Sequence, residues 1–164
     1  MPLLARNFTD EIENLKFEVL AGLPISGTGM GRKATLAEPA TLGVLIDQLK
    51  LHLKLDHLRL VLGVNQSIDS KISTIAVCAG SGASILAHAG KVDLWITGEM
   101  GHHEALDAQE SNTSVLLAEH SNSERGFLSD FVKMLQVSQH EIRHNLRSVL
   151  KYGEQKLYLT FKGE

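Results

Sequence analysis

The sequence predicts an α/β fold with a mostly parallel sheet flanked by helices. Three short apolar runs, at residues 75–79, 92–97 and 115–118, alternate with segments of helical periodicity. Strands that alternate with helices indicate βαβ units. Apart from Asp93 and Thr97, the runs are apolar at successive residues and not only at every second one, which is typical of parallel strands that helices cover on both faces.

The N-terminal segment, residues 1–26, has no clear role. Four of its apolar side chains recur at the spacing of one helix face: Phe8, Ile12, Leu15 and Val19. Pro24 would end such a helix, because proline lacks the backbone N–H that the helix needs. The pattern therefore predicts a helix here, without any recognisable chemistry.

Residues 27–32 are rich in glycine, and we interpret them as a plain loop. A dinucleotide-binding fingerprint would need glycine where Arg32 stands, and a phosphate loop would need Gly-Lys-Ser or Gly-Lys-Thr. A single α/β domain is predicted to run from residue 27 to residue 164.

The next two elements are predicted by a change of period. One helix face carries the apolar side chains Leu42, Leu45, Ile46, Leu49 and Leu53. Pro39 suits the first turn of this helix. Leu58, Leu60 and Leu62 then alternate with other residues, which predicts a half-buried strand that ends at Gly63.

The remaining elements follow the alternation of strands and helices. Helices are predicted at residues 84–89 and 101–110, and a further helical stripe consists of Phe127, Leu128, Phe131, Val132 and Leu135. The tail predicts one more helix, at 142–150, and a closing strand at 157–161.

Composition excludes several classes of protein. The 164 residues carry sixteen Lys and Arg against nineteen Asp and Glu, which argues against a nucleic-acid binder with a basic surface. The only cysteine, Cys78, excludes a disulfide framework and is expected to lie in the core. No apolar run approaches the ~20 residues of a membrane span. We expect a cytoplasmic protein, with the nucleus and the mitochondrion as further compartments.

Three predicted strand ends carry polar or glycine-rich residues, at 80–84, 98–103 and 119–125. The carboxyl ends of parallel strands meet at one edge of a sheet, where ligands of α/β proteins bind. The residues expected to converge there are Glu99, His102, His103, His120 and Glu124. Imidazole and carboxylate together suit Zn, Fe or Mn. The glycines of the first strand end have two readings, an anion-binding loop and, the one that we favour, a tight turn.

His120 and Glu124 lie four residues apart, so one helix face presents both and they can bind one metal ion. Ser121-x-x-Glu124 is also a capping box, in which Glu124 would only cap the helix. Spacing alone leaves these two readings open.

Glu99 and His103 are the candidates for proton transfer. Glu99, at the end of its strand, is placed to accept a hydrogen bond from a ligand histidine or to carry a proton. His102 and His103 are adjacent and cannot share a helix face, so at most one is expected to point into the site.

A zinc-protease pattern stands apart from these strand ends. His140-Glu-Ile-Arg-His144 matches H-E-x-x-H, but Arg147 stands where the extended form of the motif requires glycine. The apolar stripe of the same segment also explains it as a structural helix. We keep a metalloprotease that uses His140 and His144 as an alternative function.

Three motifs in order resemble the Ngg-one-interacting-factor-three-like family, whose members are also labelled GTP cyclohydrolase I type 2 homologues. They are Cys78-Ala-Gly-Ser-Gly82, Thr97-Gly-Glu-Met-Gly-His-His103 and the segment from Glu119 to Ser129. The resemblance covers residues 27–135, is to the C-terminal half of the family, and fits the eukaryotic type because two histidines follow Gly-Glu.

This resemblance implies a fold, a cofactor and partners. The family builds a site for two divalent metal ions (Zn, Fe or Mn) from an N-terminal His pair and Asp, closed by a His and Glu that match His120 and Glu124. The N-terminal ligands are not in this chain, so we expect an incomplete site. The resemblance further implies homo-oligomers of toroidal form. For function it implies two alternatives: a hydrolase that acts on a nucleotide-like substrate, or a non-enzymatic module that binds transcription-related proteins.

Overall fold

The computed structural model describes residues 16–22 and 29–138. In this part of the chain the strands are β1 (Lys16–Gly22), β2 (Gly29–Thr41), β3 (Arg59–Val61), β4 (Lys71–Ser81), β5 (Leu94–Glu99) and β6 (Ser114–Leu117). The helices are α1 (Leu42–Leu53), α2 (Ala83–Leu86), α3 (His102–Glu110) and α4 (His120–Ser138), and a 3₁₀ turn (Ala87–Ala89) follows α2.

The strands form one sheet in the order β1-β2-β4-β5-β6-β3. The α/β class is confirmed, but the sheet is mixed where the sequence predicts a mostly parallel one. Only β4, β5 and β6 pair in parallel; β1 with β2, β2 with β4, and β3 with β6 are antiparallel. The parallel strands are those joined by helical crossovers, as parallel pairing requires.

Strand β2 replaces the loop that the glycines at 27–32 predict. Gly31 has a φ of +65°, and a Cβ there would lie 2.7 Å from Cγ2 of Ile85, so the glycine allows α2 to approach the strand closely. Pro39 also lies in β2, in the irregular pairing between Thr35 and Ala40, and not in the first turn of α1. Helix α1 begins after Thr41, whose side chain accepts a hydrogen bond from the N–H of Val44.

The N-terminal prediction is wrong where the structure describes it. Residues 16–22 form β1, with Val19 paired opposite Arg32, and not the end of a helix. Pairing with β2 supplies backbone hydrogen bonds from another segment, and such tertiary pairing overrides a weak helical pattern. Phe8, Ile12, Leu15 and Pro24 lie outside the described residues.

The core lies on both faces of the sheet, as the continuous apolar runs predict. On one face, α1 packs on the central strands in a cluster of fully buried residues that includes Leu45, Leu49 and Ile96. On the other face, α2 and the 3₁₀ turn cover one cluster and α3 covers a second. Trp95 packs against both of these clusters, and its buried indole N–H has no hydrogen-bond partner.

The chain divides into two compact units, Met1–Gly126 and Phe127–Glu164. The first holds the sheet; the described part of the second is the remainder of α4. There Lys133 donates to Asp130 at 3.1 Å. Among the described residues, no helix has the length and apolar character needed to cross a bilayer. The tail elements at 142–150 and 157–161 lie outside the described residues, and the domain boundaries at 26 and 27 stay predictions.

Candidate metal site

The carboxyl end of β4 is a tight turn held by a buried hydroxyl. Thr97, on the neighbouring strand β5, is 1% exposed. Its Oγ1 donates to the carbonyl of Gly80 and accepts from the N–H of Gly82, both at 3.1 Å. One side chain therefore satisfies two backbone groups of the turn. The reading of 80–82 as a strand-to-helix turn agrees with this geometry.

A second hydroxyl joins this turn to the start of α4. The Oγ of Ser123 accepts from the N–H of Gly80 at 2.9 Å and donates to the carbonyl of His120 at 2.7 Å. Ser123 is 8% exposed, so these hydrogen bonds are shielded from water. Glu119, just before the helix, has a φ of +68° and pairs with Arg59 on β3 at 2.7 Å. The helix start is thus tied to β4 and lies next to a strained turn.

Three side chains contact one another in series at this edge: Glu99, His120 and Glu124. The Nδ1 of His120 lies 2.8 Å from Oε1 of Glu99, and its Nε2 lies 3.4 Å from Oε1 of Glu124. A carboxylate can only accept, so Nδ1 carries the proton in the bond to Glu99. In the neutral ring Nε2 then holds the lone pair, on the side of Glu124.

The surrounding charges favour the protonated imidazole. The hydrogen bond that the ring donates to Glu99, followed by the negative charge of Glu124, raises the pKa of His120 above its usual value. Metal binding at Nε2 must displace the proton that this nitrogen carries in the protonated ring. Affinity is therefore expected to rise with pH through the raised pKa of His120.

Glu99→Gln is expected to lower the pKa of His120, because the amide removes the negative charge and the strongest acceptor at Nδ1. An NMR titration of the histidine ring protons measures this directly. Glu110→Gln removes an exposed carboxylate from the other end of α3 and serves as the control. An unchanged titration of His120 in Glu99→Gln would contradict the hydrogen bond.

Glycines leave room for the site. A Cβ at Gly80 would lie 2.5 Å from Oε1 of Glu124 and 3.2 Å from Nε2 of His120. A Cβ at Gly98 would lie 2.6 Å from Oγ of Ser123 and 2.9 Å from Cα of His120. Any larger residue at either position would displace the side chains that form the site.

The spacing of the two free donor atoms fits one metal ion. Nitrogen and oxygen ligands lie about 2.1 Å from Zn²⁺, and two ligands at a tetrahedral angle are then about 3.4 Å apart. This is the distance between Nε2 of His120 and Oε1 of Glu124. Across residues 16–22 and 29–138, no group of three or more His, Cys, Asp or Glu side chains is arranged to hold an ion. The described residues therefore offer two donor atoms at the spacing of metal ligands, fewer than a complete site needs.

The other predicted residues lie apart from this chain of contacts. His102 and His103 are exposed in the first turn of α3, with ring centroids 5.8 Å apart. Helix α4 begins at His120, so Ser121 lies inside the helix and not at the N-cap position of a capping box. The thiol of Cys78 packs beside a core cluster, and burial raises its pKa. The motif from His140 to His144 lies outside the described residues.

Sequence reasoning missed Thr97 and Ser123. Both are buried hydroxyls that bond to backbone groups of another segment, and such contacts have no periodic signature. The one available signal was position, since each stands beside a glycine-rich or polar strand end.

A protein-family comparison matches residues 4–151 to Duf34/NIF3 (NGG1p interacting factor 3). NIF3-like protein 1 of Mus musculus is 52% identical over 110 residues, which are 67% of this chain and 29% of that protein. The Homo sapiens protein of the same name is 53% identical over 108 residues, 66% of this chain and 28% of that one. NGG1-interacting factor 3 of Saccharomyces cerevisiae is 49% identical over 74 residues, 44% of this chain and 26% of that one. The chain thus spans less than a third of the length of these relatives.

Solved structures share the fold. The protein ybgI superposes with a TM-score of 0.59 at 19% identity, over 74% of this chain and 46% of that one. A Bacillus cereus protein related to NIF3 superposes with a TM-score of 0.54 at 24% identity, over 67% of this chain and 30% of that one.

Proposed function

The chain belongs to the Duf34/NIF3 family, and on that premise we propose that it supplies His120 and Glu124 as ligands to a divalent metal site. One observation carries the proposal: Nε2 of His120 and Oε1 of Glu124 lie 3.4 Å apart, the separation of two ligands of one ion. Gly80 supports it, because only a residue without a Cβ lets Oε1 of Glu124 and Nε2 of His120 lie where they do.

Glu99 orients the ligand histidine. Its carboxylate accepts from Nδ1–H of His120 at 2.8 Å, which keeps the proton on that nitrogen and leaves Nε2 for the ion. Such carboxylate–imidazole pairs raise the basicity of the ligand ring. Glu99 is thus a positioning residue in the proposal, and His103 stays a prediction for proton transfer.

The proposed activity is hydrolysis of a nucleotide-like substrate by an intact site with two ions, of which this chain supplies one part. A bound Zn, Fe or Mn ion would supply an acidified water molecule at neutral pH. His120 and Glu124 hold the ion, Glu99 fixes the ring, and Thr97 and Ser123 hold the backbone beneath them. Two protein ligands bind weakly, so the remaining ligands must come from other residues or from other copies in a homo-oligomer.

Glu124→Gln tests the proposal, because it keeps the shape of the side chain and removes its charge. We expect the affinity for Co²⁺ or Zn²⁺ to fall about tenfold or more, because loss of a mere hydrogen-bond partner of a metal ligand already costs about tenfold. Calorimetry and the visible absorption of Co²⁺ measure this affinity. Glu104→Gln, which removes a carboxylate that accepts from the N–H of Gly101, is the control.

Two outcomes would contradict the metal site. One is equal affinity in Glu124→Gln and the unaltered chain. The other is loss of binding in His140→Ala with full binding in Glu124→Gln, which would favour the metalloprotease alternative.

Binding to a protein partner is the second candidate function, suggested by the name of the Saccharomyces cerevisiae relative, NGG1-interacting factor 3. Such binding would need no metal. If this role is the main one, Glu124→Gln retains binding to NGG1 in a purified pull-down while it loses the metal; absence of binding by the unaltered chain would contradict it.

A further inference from the structure

Arg32 is a buried cation with one side of its guanidinium unused. The residue is 8% exposed. Its Nη1 donates to the carbonyls of Gly29 and Gly31, both at 2.8 Å. These two bonds use both hydrogens of Nη1. In the described part of the chain, the hydrogen bonds of the guanidinium all start from Nη1, which leaves the N–H groups of Nε and Nη2 along the other edge of the fork.

No acidic side chain in the described residues forms an ion pair with Arg32. Within the described part of the chain, two neutral carbonyls are the partners of this largely buried positive charge, and an anion would stabilise it further. The free Nε and Nη2 edge is the one that binds a carboxylate or a phosphate with two parallel hydrogen bonds. The residue is therefore prepared for an anion that comes from outside the described fold.

Arg32 lies near the edge of the sheet that carries His120. It pairs opposite Val77, four positions before the end of β4, and its Nη1 bonds reach back to the first residue of β2. The backbone of Gly31 contacts the thiol of Cys78, two residues before Gly80. Arg32 is thus one strand away from the glycine that His120 and Glu124 face.

The two groups are also close along the sheet. The register that pairs Arg32 with Val77 places Gly29, whose carbonyl accepts from the guanidinium, near the level of Gly80. Strands β2 and β5 are separated only by β4, hence by about 10 Å at about 4.8 Å per strand.

We propose that Arg32 binds a phosphate group of the ligand that occupies the site at His120 and Glu124. The guanidinium edge would hold two phosphate oxygens, one strand away from the glycine beside the metal ligands, within the reach of a phosphorylated small molecule. The placement beside the metal ligands rests on the proposed function, but phosphate binding by Arg32 itself does not.

Inorganic phosphate is the probe, added to the whole chain in EDTA with chloride at equal ionic strength as reference. We expect phosphate to raise the Tm of the unaltered chain and to shift the Nε–H resonance of Arg32 in NMR spectra. Arg32→Lys keeps the positive charge but lacks the two parallel N–H groups of the guanidinium. We expect it to weaken phosphate binding about tenfold, because one bidentate contact is lost. Arg32→Met is expected to remove the effect. Lys71→Met, an equal loss of charge at the opposite end of β4, is expected to keep it.

If Arg32→Met does not fold, the phosphate titration of the unaltered protein still decides the question. No phosphate-dependent shift at the Nε–H of Arg32 would overturn the inference, and so would equal gains in Tm for Arg32→Lys and the unaltered chain. The His120 ring resonances should shift in the same titration; their constancy would overturn the shared site. All of these readings are taken without metal, so failure of the metal proposal leaves them intact and separately interpretable.

Discussion

His120→Ala is expected to abolish divalent-metal binding by this chain while leaving its fold intact. The substitution removes the Nε2 donor beside Glu124 and also ends the hydrogen bond to Glu99, so two acidic groups stay behind without their shared partner. The ring is 46% exposed, so its loss opens no core cavity and the Tm is expected to change little. Calorimetric titration with Zn²⁺, together with a thermal scan, checks both statements.

The matched control for His120→Ala is His88→Ala. His88 is also exposed, its Nδ1 lies 2.8 Å from the carbonyl of Ser84, and none of the ion pairs among the described residues includes it. The His88→Ala variant should bind Zn²⁺ as the unaltered chain does. Full Zn²⁺ binding by His120→Ala would refute the metal site. If His140→Ala also lost Zn²⁺ binding, the result would indicate that the ion binds at the H-E-x-x-H segment instead.

Gly80→Ala is expected to remove metal binding through a single methyl group. The new Cβ would stand 2.5 Å from Oε1 of Glu124 and 3.2 Å from Nε2 of His120, so the carboxylate must move away from the imidazole. The φ of +70° adds about 1–2 kcal/mol of backbone strain for any residue with a Cβ. We therefore expect a loss of Co²⁺ absorption together with a lower Tm.

Gly90→Ala separates the strain from the collision. Gly90 has a φ of +64°, but a Cβ there would meet nothing within 4 Å. This variant is expected to lower the Tm and to keep its Co²⁺ absorption. Loss of absorption in both variants would show that instability, and not a blocked site, explains the result at Gly80.

The fold could be predicted where periodicity carries the information. Continuous apolar runs place β4, β5 and β6, and the leucine stripe places α1. Strand β2 could not be predicted, because its glycines serve close contact with α2 and a bulge carries its proline, so the segment reads as a turn. The antiparallel pairs that make the sheet mixed depend on this strand and on long-range contacts that single-sequence patterns do not encode.

The candidate site could be predicted in its charged groups and not in its supports. Strand-end position pointed to Glu99, and the four-residue spacing pointed to His120 and Glu124, which the structure brings together. The spacing of Ser121 and Glu124 fits a ligand and a helix cap alike; the helix start at His120 argues against the cap, and the ligand stays a proposal. Arg32 interrupts a glycine motif and belongs to the stretch that resembles the family, but its burial and its bonds to Gly29 and Gly31 have no sequence signal.

Trp95 gives the protein an internal optical probe. It is the chain's one tryptophan, it contacts both hydrophobic clusters on its face of the sheet, and its indole N–H is shielded from water. Fluorescence from a single ring therefore responds to the loosening of either cluster, and water reaching that N–H shifts its emission to longer wavelength.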